Sequence, residues 1–268
     1  MFKIGAIGAG HMGMAVLDAL VSQNQVKPAD ILVFELDERC RRQAKTRGFA
    51  AAGNESEVYT NAQMLLLAVP PQACEKLFDK LSRSAQRQRQ KPIIISIMAG
   101  ISSNYIRMHL GQETAVITVM PTISMRAGHG AATISYTANV PTDALSFVVE
   151  IFSATGEAVI VDEPMIKEVV AVNGCMPGYA LYILDAFARE AETKGLDYRT
   201  AVRLIARGFA GVAALVLEEA DPRELLSQVC TPGGLTSQGI ASFEQNQLSK
   251  ILAAGMQSST QRCHELAR

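Results

Sequence analysis

The sequence predicts an α/β protein in two parts, a doubly wound parallel sheet followed by an all-helical domain. Three observations carry this. Short apolar runs alternate with helix-spaced stretches through the first part of the chain, the pattern of a parallel sheet with helices on both faces. A glycine-rich turn joins the first run to the first helix. After Asp162-Glu-Pro164 the short runs stop and long Ala-, Leu- and Val-rich helical stretches take over, so the domains are expected at residues 1–162 and 163–268.

The first element organises the rest. Ile4 to Ile7 reads as a buried strand, and Met14 to Val21 carries helical spacing. Between them lies Gly8-Ala9-Gly10-His11-Met12-Gly13, a G-x-G-x-x-G turn in its required strand-to-helix context. Gly8 allows the turn, Gly10 lets backbone approach a pyrophosphate, and Gly13 lets helix and strand pack closely. Free N–H groups at the helix start, where the dipole favours anions, would hold the phosphates. This is a Rossmann-type dinucleotide site by pattern, and a bare glycine turn is the weaker alternative.

Ile31 to Glu35 is the second strand. Glu35 stands 22 positions beyond Gly13, close to where an acid accepts hydrogen bonds from the adenosine ribose. Arg39, Arg41 and Arg42 follow, and arginines there could instead meet a 2′-phosphate. Glu35 argues for reduced NAD as the cofactor and the arginines for reduced NADP. Both stay open on the sequence, because such arginines more often coat a solvated helix face.

Met64 to Val69, Pro92 to Ile97 and Ala115 to Val119 are continuous apolar runs, as strands covered on both faces require. Ligands bind beyond the carboxyl ends of such strands. That lines up the glycine turn with Ala68, Val69 and Pro70, with Met98-Ala99-Gly100, and with Met120 to Thr122. Gly130 to Ser135, a helix from Thr142 and Ala158 to Val161 complete the domain. Beyond it, Ile166 to Lys194 reads as a long helix broken at Asn173 to Gly178. Tyr198 to Glu219, a helix opened by Asp221-Pro222, and Ser242 to the end follow. These helices are more apolar than one layer of packing needs, which suits a homodimer or a higher oligomer.

Composition narrows the class. The chain has 268 residues, 49% hydrophobic and 19% charged, enough for a substantial core. A net charge of -1 gives no electrostatic case for nucleic acid or an anionic membrane. The five cysteines form no CxxC pair and the four histidines are scattered, which suggests free thiols in a reducing compartment and no metal site. No signal-peptide layout and no charge-free run of spanning length appear, so the expectation is a cytoplasmic protein acting on a small molecule.

A second glycine motif closes the case for chemistry. In Cys230-Thr-Pro-Gly-Gly-Leu-Thr236, Pro232 fixes a bend and Gly233-Gly234 permits positive φ ahead of a helix start, a natural seat for a small carboxylate. A plain helix–helix turn is the competing reading, and the motif alone leaves the two even. With this stretch the chain resembles the pyrroline-5-carboxylate reductases, nearly end to end. Ile7 to Gly13, Ser96 to Ile101, Val119-Met-Pro121, Asp221-Pro-Arg-Glu-Leu225 and Cys230 to Thr236 carry the resemblance.

The resemblance implies a Rossmann domain, a helical dimerisation domain, and NAD(P)H-dependent reduction of 1-pyrroline-5-carboxylate to L-proline. The substrate would lie between the cofactor and the proline-glycine loop. Gly233, Gly234 and Leu235 would offer N–H groups to its carboxylate, with Asn173 and Met176 beside the ring. Thr236 would bond the ring nitrogen and manage its proton as hydride arrives. Three stretches depart from the family pattern. Pro70-Pro71 replaces Lys-Pro, Thr122-Ile-Ser124 replaces Asn-Thr-Pro, and Asn173 to Tyr179 replaces a small Ser-Gly-Ser-Gly-Pro-Ala-Tyr loop. They point to a divergent member, with another cyclic imine as substrate or a regulatory protein that keeps only the dinucleotide site as alternatives. A two-domain hydroxyacid dehydrogenase fits less well. It needs a lysine four residues before an asparagine, and Lys167 and Asn173 are six apart. His129 lacks a nearby carboxylate partner in sequence and reads as a loop histidine.

Overall fold

The structure, a computed structural model, describes residues 1–218 and 221–267. Its contacts divide the chain into two compact units, one running from Met1 to Cys175 and taking back the segment from Ser259, the other spanning Met176–Ser258.

The first unit is built on one eight-stranded sheet. Strand β1 (Phe2–Ile7) leads through the glycine turn into α1 (His11–Ser22), and β2 (Ile31–Phe34) into α2 (Glu38–Thr46). A two-residue strand, β3 (Ala50–Ala51), and a short helix, α3 (Glu55–Asn61), precede β4 (Ala62–Leu67) and α4 (Cys74–Arg87). Then come β5 (Ile93–Ser96), α5 (Ser103–Leu110), β6 (Val116–Pro121), β7 (Gly130–Tyr136), α6 (Thr142–Ser153) and β8 (Gly156–Ile160). The order is β3-β2-β1-β4-β5-β6-β7-β8. The chain reverses side between β1 and β4, and that switch point is where an open α/β sheet leaves a crevice for ligand.

The continuous apolar runs are strands buried on both faces. Ile4, Ala6, Leu65, Leu66 and Leu67 are essentially fully buried, with helices above and below dividing them between two cores. One expectation needs correcting. The sheet is not wholly parallel, because β6 and β7 pair antiparallel, Met120 opposite Thr133. The connection Thr122 to His129 is too short for a helical crossover, and a short connection permits only a reversal. The elements β3 and α3 are missing from the sequence reading. Two alanines in a strand and a polar seven-residue helix carry too little apolar periodicity to register.

The segment after β8 belongs to the sheet by packing, although its composition already looks like the helical part. Helix α7 (Glu163–Glu168) buries Ile166, and Val170 follows it into a small cluster with Met120 and Cys263. Glu163 accepts from both the N–H and the hydroxyl of Ser103 at 2.6 Å, covering the start of α5. The far C-terminus returns here as well, with His264 3.0 Å from Glu168. Contacts therefore carry the first unit past residue 162 to Cys175.

The second unit contains α8 (Met176–Thr193), α9 (Tyr198–Glu218), α10 (Pro222–Val229), α11 (Leu235–Gln245) and most of α12 (Leu248–Leu266). Asp221 caps α10 by accepting from Arg223 N–H, with Pro222 at the first helical position. The last expected helix, from Ser242, proves to be two, split where Gln247 adopts φ 56°. Helix α9 is long and apolar enough to cross a membrane by length and composition alone, although it carries Arg199, Arg203 and Arg207. Little of it is buried: Leu204 is 61%, Val212 60% and Leu217 83% exposed.

Candidate active site

The glycine turn has three differently constrained glycines. Gly8 has φ +94°, and a Cβ there would lie 2.6 Å from the Ala68 carbonyl oxygen. A Cβ on Gly13 would lie 2.5 Å from the Gly8 carbonyl oxygen, so the close helix–strand approach depends on its absence. Gly10 differs: its φ is −67° and a Cβ would meet nothing within 4 Å. The protein itself does not need glycine at position 10. What the missing side chain preserves is open space at the N-terminus of α1. The first backbone bond of that helix runs from Met14 N–H to Gly10, leaving the preceding N–H groups aimed outward. A dinucleotide pyrophosphate fits this arrangement of donors, dipole and room.

Glu35 stands at the end of β2 and faces the same turn. Its carboxylate accepts from Ala9 N–H at 2.6 Å and from Asp37 N–H at 2.8 Å, so both oxygens are oriented by backbone. Asp37 caps α2 by accepting from Cys40 N–H at 2.8 Å, and chiefly that bond holds its carboxyl below the ordinary carboxylate range. Burial and the Asp37 carboxylate push the Cys40 thiol up.

These residues open onto a cleft of about 680 Å³ along the carboxyl ends of β1, β2, β4 and β5. Of the expected cofactor residues, Gly8, Gly10, His11, Met12, Gly13, Glu35, Ala68, Val69, Pro70 and Ala99 line it. Ala9 is buried and contributes its N–H to Glu35 instead. The sequence reading missed Lys76 and Lys80, which line the cleft from α4, and Glu55, which pairs with Lys80 at 2.6 Å. The i, i+4 lysine spacing was a usable signal for one helix face. Its orientation toward the crevice was not.

Met120 is a correction. Its side chain is buried against Ile166, Val170 and Cys263 and does not line the cleft. It stands in the β6–β7 hairpin, where the alternation of a strand turns it toward α7. Asn173 is likewise buried, and its side-chain amide donates to the Met120 carbonyl while its Oδ1 has no hydrogen-bond partner among the described residues. Its visible role is to tie the loop after α7 to the end of β6. Met176 opens α8 and is 43% exposed. His129 is an exposed loop residue whose N–H donates to the Ser124 carbonyl.

In the second unit, Thr231 to Gly234 form a tight turn closed by Gly234 N–H to the Thr231 carbonyl at 2.9 Å. This bond removes Gly234 from the expected set of carboxylate donors. The residue has another function: a Cβ there would lie 2.5 Å from Thr231 Oγ1. Gly233 has φ +73°, which favours glycine. Leu235 begins α11 and Thr236 follows it, both exposed, in the turn whose N–H groups have no carbonyl one turn back. The loop therefore retains donors at Gly233 and at the helix start.

Comparison with known proteins gives the chain's family. A family described as NADP oxidoreductase coenzyme F420-dependent matches residues 3–100, and pyrroline-5-carboxylate reductase dimerisation matches 163–266. The pyrroline-5-carboxylate reductase of Pseudomonas aeruginosa is 31% identical, covering 99% of this chain and 97% of its own. The chain belongs to the pyrroline-5-carboxylate reductase family. The family's structure from Coxiella burnetii aligns with TM-score 0.85 at 25% identity, covering 100% of this chain and 99% of that one. The Plasmodium falciparum pyrroline carboxylate reductase, solved with NADP bound, aligns at 0.88 with 19% identity over 100% of this chain and 98% of its own. At that identity the likeness speaks for the fold.

Proposed function

We propose that the protein is an NAD(P)H-dependent oxidoreductase that reduces 1-pyrroline-5-carboxylate to L-proline, acting in the cytoplasm as a homodimer or an oligomer of dimers. The observation that carries the reading is the space kept by Gly10 at the start of α1, in a chain related over its whole length to reductases of that name. A dinucleotide would be held by the N–H groups of the glycine turn, the Glu35 carboxylate and the cleft walls at Val69 and Ala99. When bound, it supplies the hydride.

The chain's own residues do the rest. Gly233 and Leu235 N–H groups receive the substrate carboxylate, favoured by the positive end of α11. Thr236, exposed in the same turn, would hold a proton at the ring nitrogen through its hydroxyl. Orientation supplies most of the acceleration. The exposed apolar residues of α8 and α9, Leu181 and Tyr182 among them, support pairing with a second copy, which their burial would stabilise.

The test follows NAD(P)H oxidation with five- and six-membered cyclic imines, each with and without a carboxylate. Fastest turnover of the five-membered acid supports the proposal. Equal turnover of the decarboxylated imine would overturn the role given to the Gly233–Leu235 loop. Cys175 and the bulkier Met176, where the family has small residues, favour one secondary reading, a shift toward a larger ring with the carboxylate requirement kept.

A further inference from the structure

We infer that this chain selects NADH over NADPH, and that Glu35 is the residue that sets the choice. The inference rests on the dinucleotide reading above and goes beyond it by naming the form of the cofactor.

The two cofactor forms differ by one phosphate on the adenosine ribose, so the choice is made where that ribose lies. In a sheet of this topology the ribose meets the end of β2, beside the glycine turn. There the protein places a carboxylate, and its geometry is fixed. One oxygen accepts from Ala9 N–H at 2.6 Å and the other from Asp37 N–H at 2.8 Å. Each oxygen keeps a further lone pair, which a 2′- or 3′-hydroxyl can donate to. A 2′-phosphate has no proton to offer at neutral pH and brings close to two negative charges against the same oxygens. The held position opposes movement of the carboxylate aside, because that would take the acceptor from the part-buried Ala9 N–H.

The surrounding charges reinforce Glu35. The cleft's other acidic side chains are Asp37 and Glu55, and its lysines are Lys76 and Lys80. Lys80 is committed to Glu55 at 2.6 Å. Of the two lysines in the cleft lining only Lys76 is not paired with Glu55, and the Cys40 N–H lowers the Asp37 carboxyl from its ordinary range. The arginines that argued for NADP are not part of the cleft lining. Arg39 lines an adjoining groove on the α1 side, which shares Gly10, His11 and Cys40 with the cleft, and Arg47 in that groove is held by Asp18 at 2.6 Å. Arg41 and Arg42 are exposed and line neither cavity. Leu36, 79% exposed and part of the cleft lining, offers apolar cover for an adenine where a phosphate-binding side chain would otherwise stand.

The experiment is equilibrium binding of NADH and NADPH to the full chain, followed by nicotinamide fluorescence. Displacement by 5′-AMP and by adenosine 2′,5′-bisphosphate isolates the ribose end from the nicotinamide. The wild type should bind NADH at least about tenfold more tightly than NADPH, because like charges held together disfavour the wrong partner strongly. 5′-AMP should outcompete the bisphosphate. Glu35→Gln should narrow or reverse both ratios by weakening NADH and strengthening NADPH. If that variant fails to fold, Asp37→Asn removes a neighbouring charge and keeps a good N-cap, and should narrow the ratio in the same direction. Equal or tighter NADPH binding by the wild type overturns the inference while leaving the dinucleotide site standing. An unchanged ratio in the folded variants overturns the role of Glu35. Binding of neither dinucleotide overturns the underlying reading together with the inference.

Discussion

Gly10→Val separates ligand demand from folding demand within one motif. A Cβ at this position meets nothing within 4 Å, and the backbone φ of −67° suits any residue. The cost to the fold is therefore that of a poorer N-cap, under about 1 kcal/mol, a shift of roughly 2–4 °C in Tm for a unit of this size. Binding suffers differently. The side chain occupies the space beside the N–H groups of α1 where a pyrophosphate would sit. Overpacking costs about 1–3 kcal/mol, and each charged hydrogen bond lost adds about 1.5–3 kcal/mol. Together these amount to a loss of roughly 100-fold or more in affinity. Gly13→Ala is the mirror experiment. Its Cβ would sit 2.5 Å from the Gly8 carbonyl oxygen, so the strain falls on the fold and lowers Tm by several degrees. Fluorescence titration with reduced dinucleotide, alongside thermal melts, reads both effects. Unchanged affinity in Gly10→Val would refute the reasoning, because the open space would then have no ligand to serve.

Thr236→Ala is expected to lower kcat more than it raises KM, since the hydroxyl matters most as charge changes at the ring nitrogen; unchanged kcat would show that the proton comes from elsewhere. Gly234→Ala should instead raise KM for the carboxylated imine, because a Cβ 2.5 Å from Thr231 Oγ1 forces the turn open; a KM equal to wild type would contradict that. Light scattering at micromolar concentration should give at least a dimer. Leu204→Glu combined with Leu217→Glu, both exposed on α9, should shift the population toward monomer. A wild-type monomer would contradict the account of the apolar helices.

Much of the fold was legible in the sequence because its signals are local. The runs Met64 to Leu67 and Ile94 to Ile95 are strand segments buried on both faces, a state that unbroken apolar sequence satisfies. The glycine turn reads from spacing alone because it is one supersecondary unit. The Pro-Gly-Gly turn is local in the same way. Tertiary structure decided the matters that depend on residues distant in the chain. Met120 stands at the end of a strand that borders the crevice by order, yet it packs on Ile166 and Cys263, which no local pattern connects to it. The motif offers the Gly234 N–H as a donor, whereas in the fold that N–H closes the turn on Thr231. The segment from Glu163 reads as helical-domain sequence but packs on the sheet through Ser103 and Met120. Which charges face the ribose end of the cleft was likewise undecidable from order. Glu35 and Arg39 are four residues apart, but the strand's end aims Glu35 into the cleft while the first turn of α2 sets Arg39 in the adjoining groove on the α1 side of the glycine turn. Spacing along a chain fixes the period of an element, and only the packing of elements fixes the direction each side chain faces.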